Sequence, residues 1–424
     1  MGLLDIVIDV AAPNGARDRA QQIDEVRAKL AHPKDAWTTG EDGRRVWLKA
    51  PAQTADNVCN ALLLDPAFRS RLRHNDFSGT IEWDGRLMED ADATEVRLAL
   101  ARGYKLQASV TLTNEMMIFV ARMLRYHPVR DWLEGLRWDG TPRMSRLLSH
   151  YAGCADNPLH ATLSRRFMIS CVARIMQPGA KVDTVLILAG PQGYGKSTFF
   201  RALAGAEWFR DSAIDLRNKD AYMALRGAWL YEMAELAAMR PRDAETVKAF
   251  LSAQVDHYRP PYGRHQVEQA RQCVFVGTTN EPSFLNDPTG ARRFWPATVE
   301  TMPRTAEVER DRAQLWAEAV EAYKANERWW LELNESIDLG DAHEQYQHED
   351  PWQPKIARWL DDPTNSRGGF TLEAVLNTAI RKDDDKQTKG DEMRLGGLLT
   401  GMGYRRKRIQ EGGLRVYRWF PVGE

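Results

Sequence analysis

The sequence predicts an α/β protein. A parallel sheet sits at its centre, a mainly helical region precedes it, and a small domain of helices closed by a hairpin follows. Three observations carry that reading. The runs "DTVLILAG" at 183–190, "AWLYE" at 228–232, "CVFVGTT" at 273–279 and "RFWPATV" at 293–299 are short, apolar and rich in leucine, β-branched and aromatic residues. Runs of that composition mark strands buried on both faces of a parallel sheet. Helical stretches separate them, and that alternation between about 155 and 335 is the signature of an α/β core. Upstream and downstream the apolar residues recur instead at helical spacing.

In chain order, residues 1–40 show no clear period and read as an N-terminal arm, mobile by this criterion. Residues 41–154 read as mostly helical, a domain suited to oligomerisation or DNA contact. "NVCNALLLDPAFRSRL" and "NEMMIFVARMLRYHPVRDWLEGL" carry helical periodicity, and Pro128 and the turn "WDGTP" at 138–142 interrupt the second. "LSRRFMISCVARIM" at 163–176 is an amphipathic helix that "QPG" ends. The sheet region, 155–335, comes next. After a polar linker, 345–424 reads as a separate domain. "DPWQPKIARWLDD", "TLEAVLNTAI" and "DEMRLGGLLTGMGY" are helices, and "RRKRIQEGGLRVYRWF" folds back on itself at Gly412-Gly413. Helices followed by a basic hairpin suggest a winged-helix-like domain.

Bulk composition excludes some classes. Apolar residues make up 43% of the 424 and charged residues 28%, so the chain is not wholly disordered. Fifty-eight basic residues against 59 acidic mean that any nucleic-acid surface is a local patch. Residues 403–420 are such a patch, with six basic residues against Glu411 alone; Arg405, Arg406, Lys407 and Arg408 are candidates for duplex contact. A charged wing that merely packs on its domain is the plainer alternative. The four cysteines, Cys59, Cys154, Cys171 and Cys273, form no CxxC or CxH pattern, which argues against zinc and for reduced thiols in a cytoplasmic protein. No segment reads as a signal peptide or membrane span.

The chemistry is concentrated in "GPQGYGKST", residues 190–198. Gly190, Gly195, Lys196 and Ser197 fit GxxxxGK[ST], and the run lies between a strand and the helical "STFFRALAG", the context this motif requires. Its loop, Gly190, Pro191, Gln192, Gly193, Tyr194 and Gly195, turns backbone N–H groups inward, and the helix that opens at Lys196, Ser197 and Thr198 adds its positive N-terminal end. This is a cradle for the phosphates of ATP. Lys196 suits the β- and γ-phosphates and Ser197 a Mg²⁺ ion. In "GAWLYEMAEL", Glu232 stands where a magnesium-holding carboxylate belongs, and Glu235 where a general base would polarise water. Alone, two glutamates at a strand end are ordinary, and their roles are exchangeable. Asn280, ending the third apolar strand in "GTTNE", suits a sensor of water or γ-phosphate. Arg292 and Arg293 suit a finger reaching a neighbouring subunit's nucleotide, or else a solvated loop.

The order of phosphate loop, "YEMAE", "TTNE" and "RRFW" resembles superfamily 3 helicases of the AAA+ class. More narrowly, the stretches "KAFLSAQVDHYRPPYGRH", "RQCVFVGTTNEPSFLNDPTGARRFWP", "RDRAQLWAEAV" and "YHPVRDWLEGLRWDGTPR" resemble the virulence-associated protein E family of phages and genomic islands. The resemblance spans roughly 75–335. It implies an AAA+ ATPase forming a homo-oligomer, a hexamer by analogy, around single-stranded or forked DNA, moving 3′ to 5′, with a primase or polymerase as a further partner. It also implies that the segment before the third strand is a hairpin entering a central channel. Arg264 and His265 stand near its tip for phosphate or base, Tyr262 for stacking, and Lys248 and Arg259 toward nucleotide or neighbouring subunit. Arg293, which directly precedes Phe294, is the preferred finger. The reading is an ATP-dependent DNA helicase or replication-initiator motor. The alternatives are a DNA-binding ATPase switch that does not unwind, and a nucleotide-regulated interaction protein in phage interference.

Overall fold

The computed structural model describes residues 15–212, 221–234, 244–258, 267–281, 291–343, 346, 350–411 and 414–422. They fall into two compact units that divide after Tyr346. Among the described residues no helix is long and apolar enough to cross a membrane.

The first part of the larger unit is mixed rather than purely helical. Helices Gly15–Ala28, Ala55–Leu64, Pro66–Arg69, Asp90–Tyr104 and Val110–Met123 are joined by strands β1 (Trp37–Thr39), β2 (Arg45–Trp47), β3 (Leu72–Asn75), β4 (Thr80–Trp83), β5 (Arg86–Leu87) and β6 (Arg125–Tyr126). The last four form a sheet in the order β5-β4-β3-β6, in which only the β3–β6 pairing is parallel. Strands of two to four residues are too short to display a period, which is why helical spacing dominates the sequence here. Residues 15–40 are no featureless arm either. Val26 and Leu30 are buried in one cluster with Leu62, Phe68 and Leu100, bringing that helix into this core.

The boundary expected at 154 lies earlier. Val129, Leu133, Leu147 and Tyr151 pack in the same cluster as Phe167, Leu186 and Trp316, so helix Pro128–Gly135 and the turns after it belong to the α/β core. Helix Pro158–Met176 follows, capped by the Asn157 side chain with proline at its start.

Strands β7 (Val185–Ala189), β8 (Phe209–Arg210), β9 (Leu230–Ala234), β12 (Val274–Thr279) and β13 (Phe294–Thr298) form one wholly parallel sheet in the order β13-β7-β12-β9-β8. Between β9 and β12 the antiparallel pair β10 (Val255–Tyr258) and β11 (Val267–Ala270) stands apart as a separate ladder. The four long strands match the apolar runs of the sequence; β8 is too short to be seen there. Both sheet faces are covered. Leu186 and Leu188 join the cluster of helices Pro158–Met176, Lys196–Ala204 and Thr305–Lys324. Val185, Ile187 and Ala189 join Leu225, Phe250 and Leu251 on the opposite side. This two-residue alternation between two dry faces is why β7 reads as continuously apolar. Trp229 centres the first face: its ring lies 4.2 Å from that of Trp316, and its Nε1 donates to the Cys171 carbonyl at 3.0 Å.

The smaller unit has helices Gln353–Leu360, Leu372–Val375 and Lys389–Gly401 before the hairpin of β14 (Tyr404–Glu411) and β15 (Leu414–Pro421). Ile356, Phe370, Leu395, Leu399 and Trp419 form its core. This is the expected sequence of helices and hairpin.

Candidate functional site

The sheet places its crevice at the carboxyl end of β7. From β8 through β9 to β12 the chain steps toward β7, then crosses it to lay down β13 on the far side. Ligands of open parallel sheets bind at such a reversal, outside the carboxyl ends of the strands. The glycine-rich loop lies there. After Ala189 the chain turns through Gly193 and Gly195, both at positive φ (83° and 81°), a conformation that strains any other residue. Gly190 is required for closeness instead: a Cβ there would lie 3.0 Å from the Val299 carbonyl oxygen. Its N–H donates to the Thr279 carbonyl at 3.1 Å, tying loop to β12.

Lys196, the first residue of its helix, is buried at 6% exposure. Its ammonium donates to the carbonyls of Gly190 at 2.7 Å and Pro191 at 2.8 Å, and to Asn280 Oδ1 at 2.9 Å. Burial lowers its pKa, and the nearby Glu232 carboxylate partly opposes that. Ser197 Oγ donates to Glu232 Oε1 at 2.7 Å, and Thr278 Oγ1 donates to the same oxygen at 2.5 Å. Glu232 is 2% exposed, and its Oε2 is buried without a hydrogen-bond partner. Residues from three adjacent parallel strand ends and one helix start thus converge. Ser197 and Glu232 offer the hard oxygen donors that magnesium takes, and the orphaned Oε2 fits that use. No cluster of three or more His, Cys, Asp or Glu side chains arranged for a metal occurs among the described residues. An ion here would therefore complete its shell with phosphate and water. Tyr194 is half-buried against the core, while Pro191, Gln192 and Thr198 are exposed at the rim.

The other sequence candidates are distributed differently. Glu235 lies outside the described residues, as do Arg259, Tyr262, Arg264 and His265. The hairpin expected to carry the last four is described at its root, where β10 and β11 pair up to Tyr258 and Val267. That root is anchored by a buried ion pair. Arg271 donates to Asp256 through Nε at 3.0 Å and Nη2 at 2.5 Å, and through Nη1 to the Phe250 carbonyl. Lys248 is half-buried on helix Ala244–Ser252. The two arginines separate: Arg293 is held inside its own chain, Nε lying 3.3 Å from Ser252 Oγ and 3.7 Å from Asp183, whereas Arg292 is exposed. The preference for Arg293 as an outward finger therefore loses its geometric support. Arg405, Arg406, Lys407 and Arg408 are all exposed along β14, with the Arg406 guanidinium 3.7 Å from the centre of the Tyr417 ring.

Sequence reasoning missed Thr278, although it lies in "GTTNE" two residues before Asn280. It missed Asp183 and the Asp256–Arg271 pair as well. In each case the partner is distant in the chain, and no local pattern announces it.

No curated protein matches the chain. Among solved structures, two apo forms of the NrS-1 C-terminal region align with 69% of this chain and 78% of theirs, at 16% and 15% identity and TM-scores of 0.37 and 0.38. Those scores are too low to bear on function. The family description "Virulence-associated protein E-like domain" matches residues 133–349. That span is just over half the chain; it begins near the observed start of the α/β core and contains both the glycine-rich loop and the Glu232 cluster. The chain belongs to the virulence-associated protein E-like family.

Proposed function

We propose that this chain is a magnesium-dependent ATPase with an AAA+ phosphate-loop core, and that it drives a DNA helicase or replication-initiator motor of phage or mobile-element type. The observation that carries the reading is the convergence of Lys196, Ser197, Glu232, Thr278 and Asn280 beside the glycine-rich loop. Such a loop binds phosphate through backbone N–H groups and a helix N-terminus. Lys196 exchanges its carbonyl contacts for the β- and γ-phosphate oxygens. Ser197 and the free oxygen of Glu232 would hold magnesium, which would neutralise charge on the phosphates. Asn280, already joined to Lys196, senses the γ-phosphate. Glu235 takes the proton of the attacking water as the bond between the γ-phosphorus and the bridging oxygen breaks, releasing ADP and phosphate.

Around this core we place a hexameric ring on single-stranded or forked DNA, with Tyr262, Arg264 and His265 in its channel, Arg405, Arg406, Lys407 and Arg408 on a winged-helix-like domain, and a primase or polymerase as partner. Between the two arginines, the exposure of Arg292 favours it for reaching a neighbouring subunit. The test is steady-state phosphate release with and without magnesium and single-stranded DNA, followed by strand displacement on a fork. Lys196→Ala is expected to lose nucleotide binding, and Glu235→Gln to bind but not turn over. Absence of magnesium-dependent hydrolysis in the parent chain refutes the reading. Hydrolysis that DNA does not stimulate refutes its DNA half.

A further inference from the structure

Away from the glycine-rich loop, the first part of the larger unit holds a cleft of about 500 Å³ lined by Leu64, Pro66, Arg69, Ser70, Arg73, Leu124, Arg125 and Tyr126. Three of these eight are arginines and none is acidic. They come from three elements: Arg69 ends helix Pro66–Arg69, Arg73 lies on β3, and Arg125 lies on the edge strand β6, which pairs with β3. All three are exposed.

Two of the neighbouring carboxylates are spent elsewhere, and a third, Asp76, pairs with Arg125 itself and leaves its terminal nitrogens over. Asp65, fully buried at the corner between two helices, takes Arg19 at 2.6 and 2.7 Å and the Tyr104 hydroxyl at 2.8 Å. It also accepts the Ala67 N–H at 3.0 Å, so it fixes the short helix that presents Arg69. Glu82 takes the Tyr126 hydroxyl at 2.5 Å and Asn75 at 2.7 Å. Asp76 takes only Nε of Arg125, at 2.8 and 3.0 Å, together with His74. The terminal nitrogens of Arg125 are left without a hydrogen-bond partner among the described residues. Arg69 likewise makes no hydrogen bond or ion pair among them. Arg73 lies 5.5 Å above the centre of the Tyr126 ring, whose hydroxyl is held by Glu82.

We infer that this cleft binds the phosphodiester backbone of single-stranded nucleic acid, a site separate from the channel hairpin and the basic wing. The inference rests on the DNA reading above and deepens it. Planar guanidinium forks match phosphate oxygens in pairs, and three of them on three elements around one cleft line a track rather than a single point. A recessed wall of this kind suits a flexible strand, which enters a groove as a flat bilayer does not.

The test is the salt dependence of binding of a labelled oligothymidylate by fluorescence anisotropy. It compares the full chain with its Arg69→Gln/Arg73→Gln/Arg125→Gln and Arg69→Lys/Arg73→Lys/Arg125→Lys variants. Each phosphate contact on a single strand contributes about −0.7 to the slope of log affinity on log salt, so the glutamine variant is expected to lose about two from that slope. It should bind about tenfold or more weaker at low salt, with basal ATPase and melting temperature unchanged. The lysine variant, which keeps the charges, should retain most of the slope. An unchanged slope in the glutamine variant overturns the cleft and leaves the motor reading standing. No binding of the oligonucleotide by the parent chain overturns both. Parent binding to phosphatidylserine vesicles in preference to the oligonucleotide overturns the nucleic-acid assignment.

Discussion

Replacing Glu232 by glutamine removes a charge but leaves the shape of the side chain nearly intact, which separates a structural role from a metal-holding one. In the folded chain Oε1 accepts from Ser197 and Thr278, while Oε2 is buried with no partner. A glutamine carbonyl still accepts both hydroxyls, so no hydrogen bond is lost in number. Each weakens from charge-assisted to neutral, by about 1 kcal/mol, or about 2 kcal/mol together. Against that stands the cost of holding an unpaired charge out of water, which the glutamine removes although its amide NH2 takes the partnerless place of Oε2, a relief of about 1–3 kcal/mol. The two nearly cancel, and Glu232→Gln is expected to melt within about 1 kcal/mol of the parent without nucleotide. Function responds differently. Loss of one preorganised electrostatic partner at a reacting phosphate typically costs about 10²–10³ in turnover, or about 3–4 kcal/mol. The assays are thermal melting with and without magnesium and ATP, and phosphate release. At ligand a hundredfold above its dissociation constant the parent gains about 2.7 kcal/mol; the variant should lose the magnesium-dependent part of that gain. If Glu232→Gln is destabilised by several kcal/mol yet keeps its hydrolysis, the carboxylate is a clamp for Ser197 and Thr278 and the metal reading fails.

Other outcomes follow from the packing. Trp229→Ala removes the ring that packs against Trp316 in a fully buried position and should cost about 3–5 kcal/mol, read by denaturant unfolding; a loss below about 1 kcal/mol contradicts the assigned core. Burial lowers the pKa of His127 and of His343 below the ordinary 6.5. The unfolded chain therefore takes up these protons first, so their contribution is complete above about pH 6.5 and is lost as pH falls through the folded values. Melting temperature should fall as the pH drops below about 6.5, and His127→Gln should flatten that fall. Burial also pushes the thiols of Cys273 up to about 11 and Cys154 up to about 12, and raises Cys171 well above its ordinary range. Burial raises the Cys59 thiol as well, but it is partly exposed while the other three are buried, so iodoacetamide at pH 8 should modify the folded chain at Cys59 first, and all four cysteines once unfolded, by mass spectrometry.

The sequence by itself determined the parts of this protein whose causes are local. The four long parallel strands are legible because each is buried on both faces and must be apolar throughout. The glycine-rich loop is legible because left-handed turns and a helix start demand their residue types at fixed spacing. That Glu232 and Asn280 lie beside this loop was legible because their strands were. The tertiary structure decided what depends on residues far apart in the chain. It supplied the Thr278 hydroxyl on Glu232 and the joining of Lys196 to Asn280 across 84 positions. It turned Arg293 inward to Asp183 and left Arg292 outside, a distinction that adjacent identical residues cannot carry in sequence. The small sheet of the first part escaped notice because strands of two to four residues have no period. Its arginine cleft escaped because Arg69 and Arg125 are brought together only by the pairing of β6 with β3. Local chemistry is written in composition and spacing; which charge meets which is set by the closing of the chain, where a buried carboxylate takes whichever donor the packing brings to it.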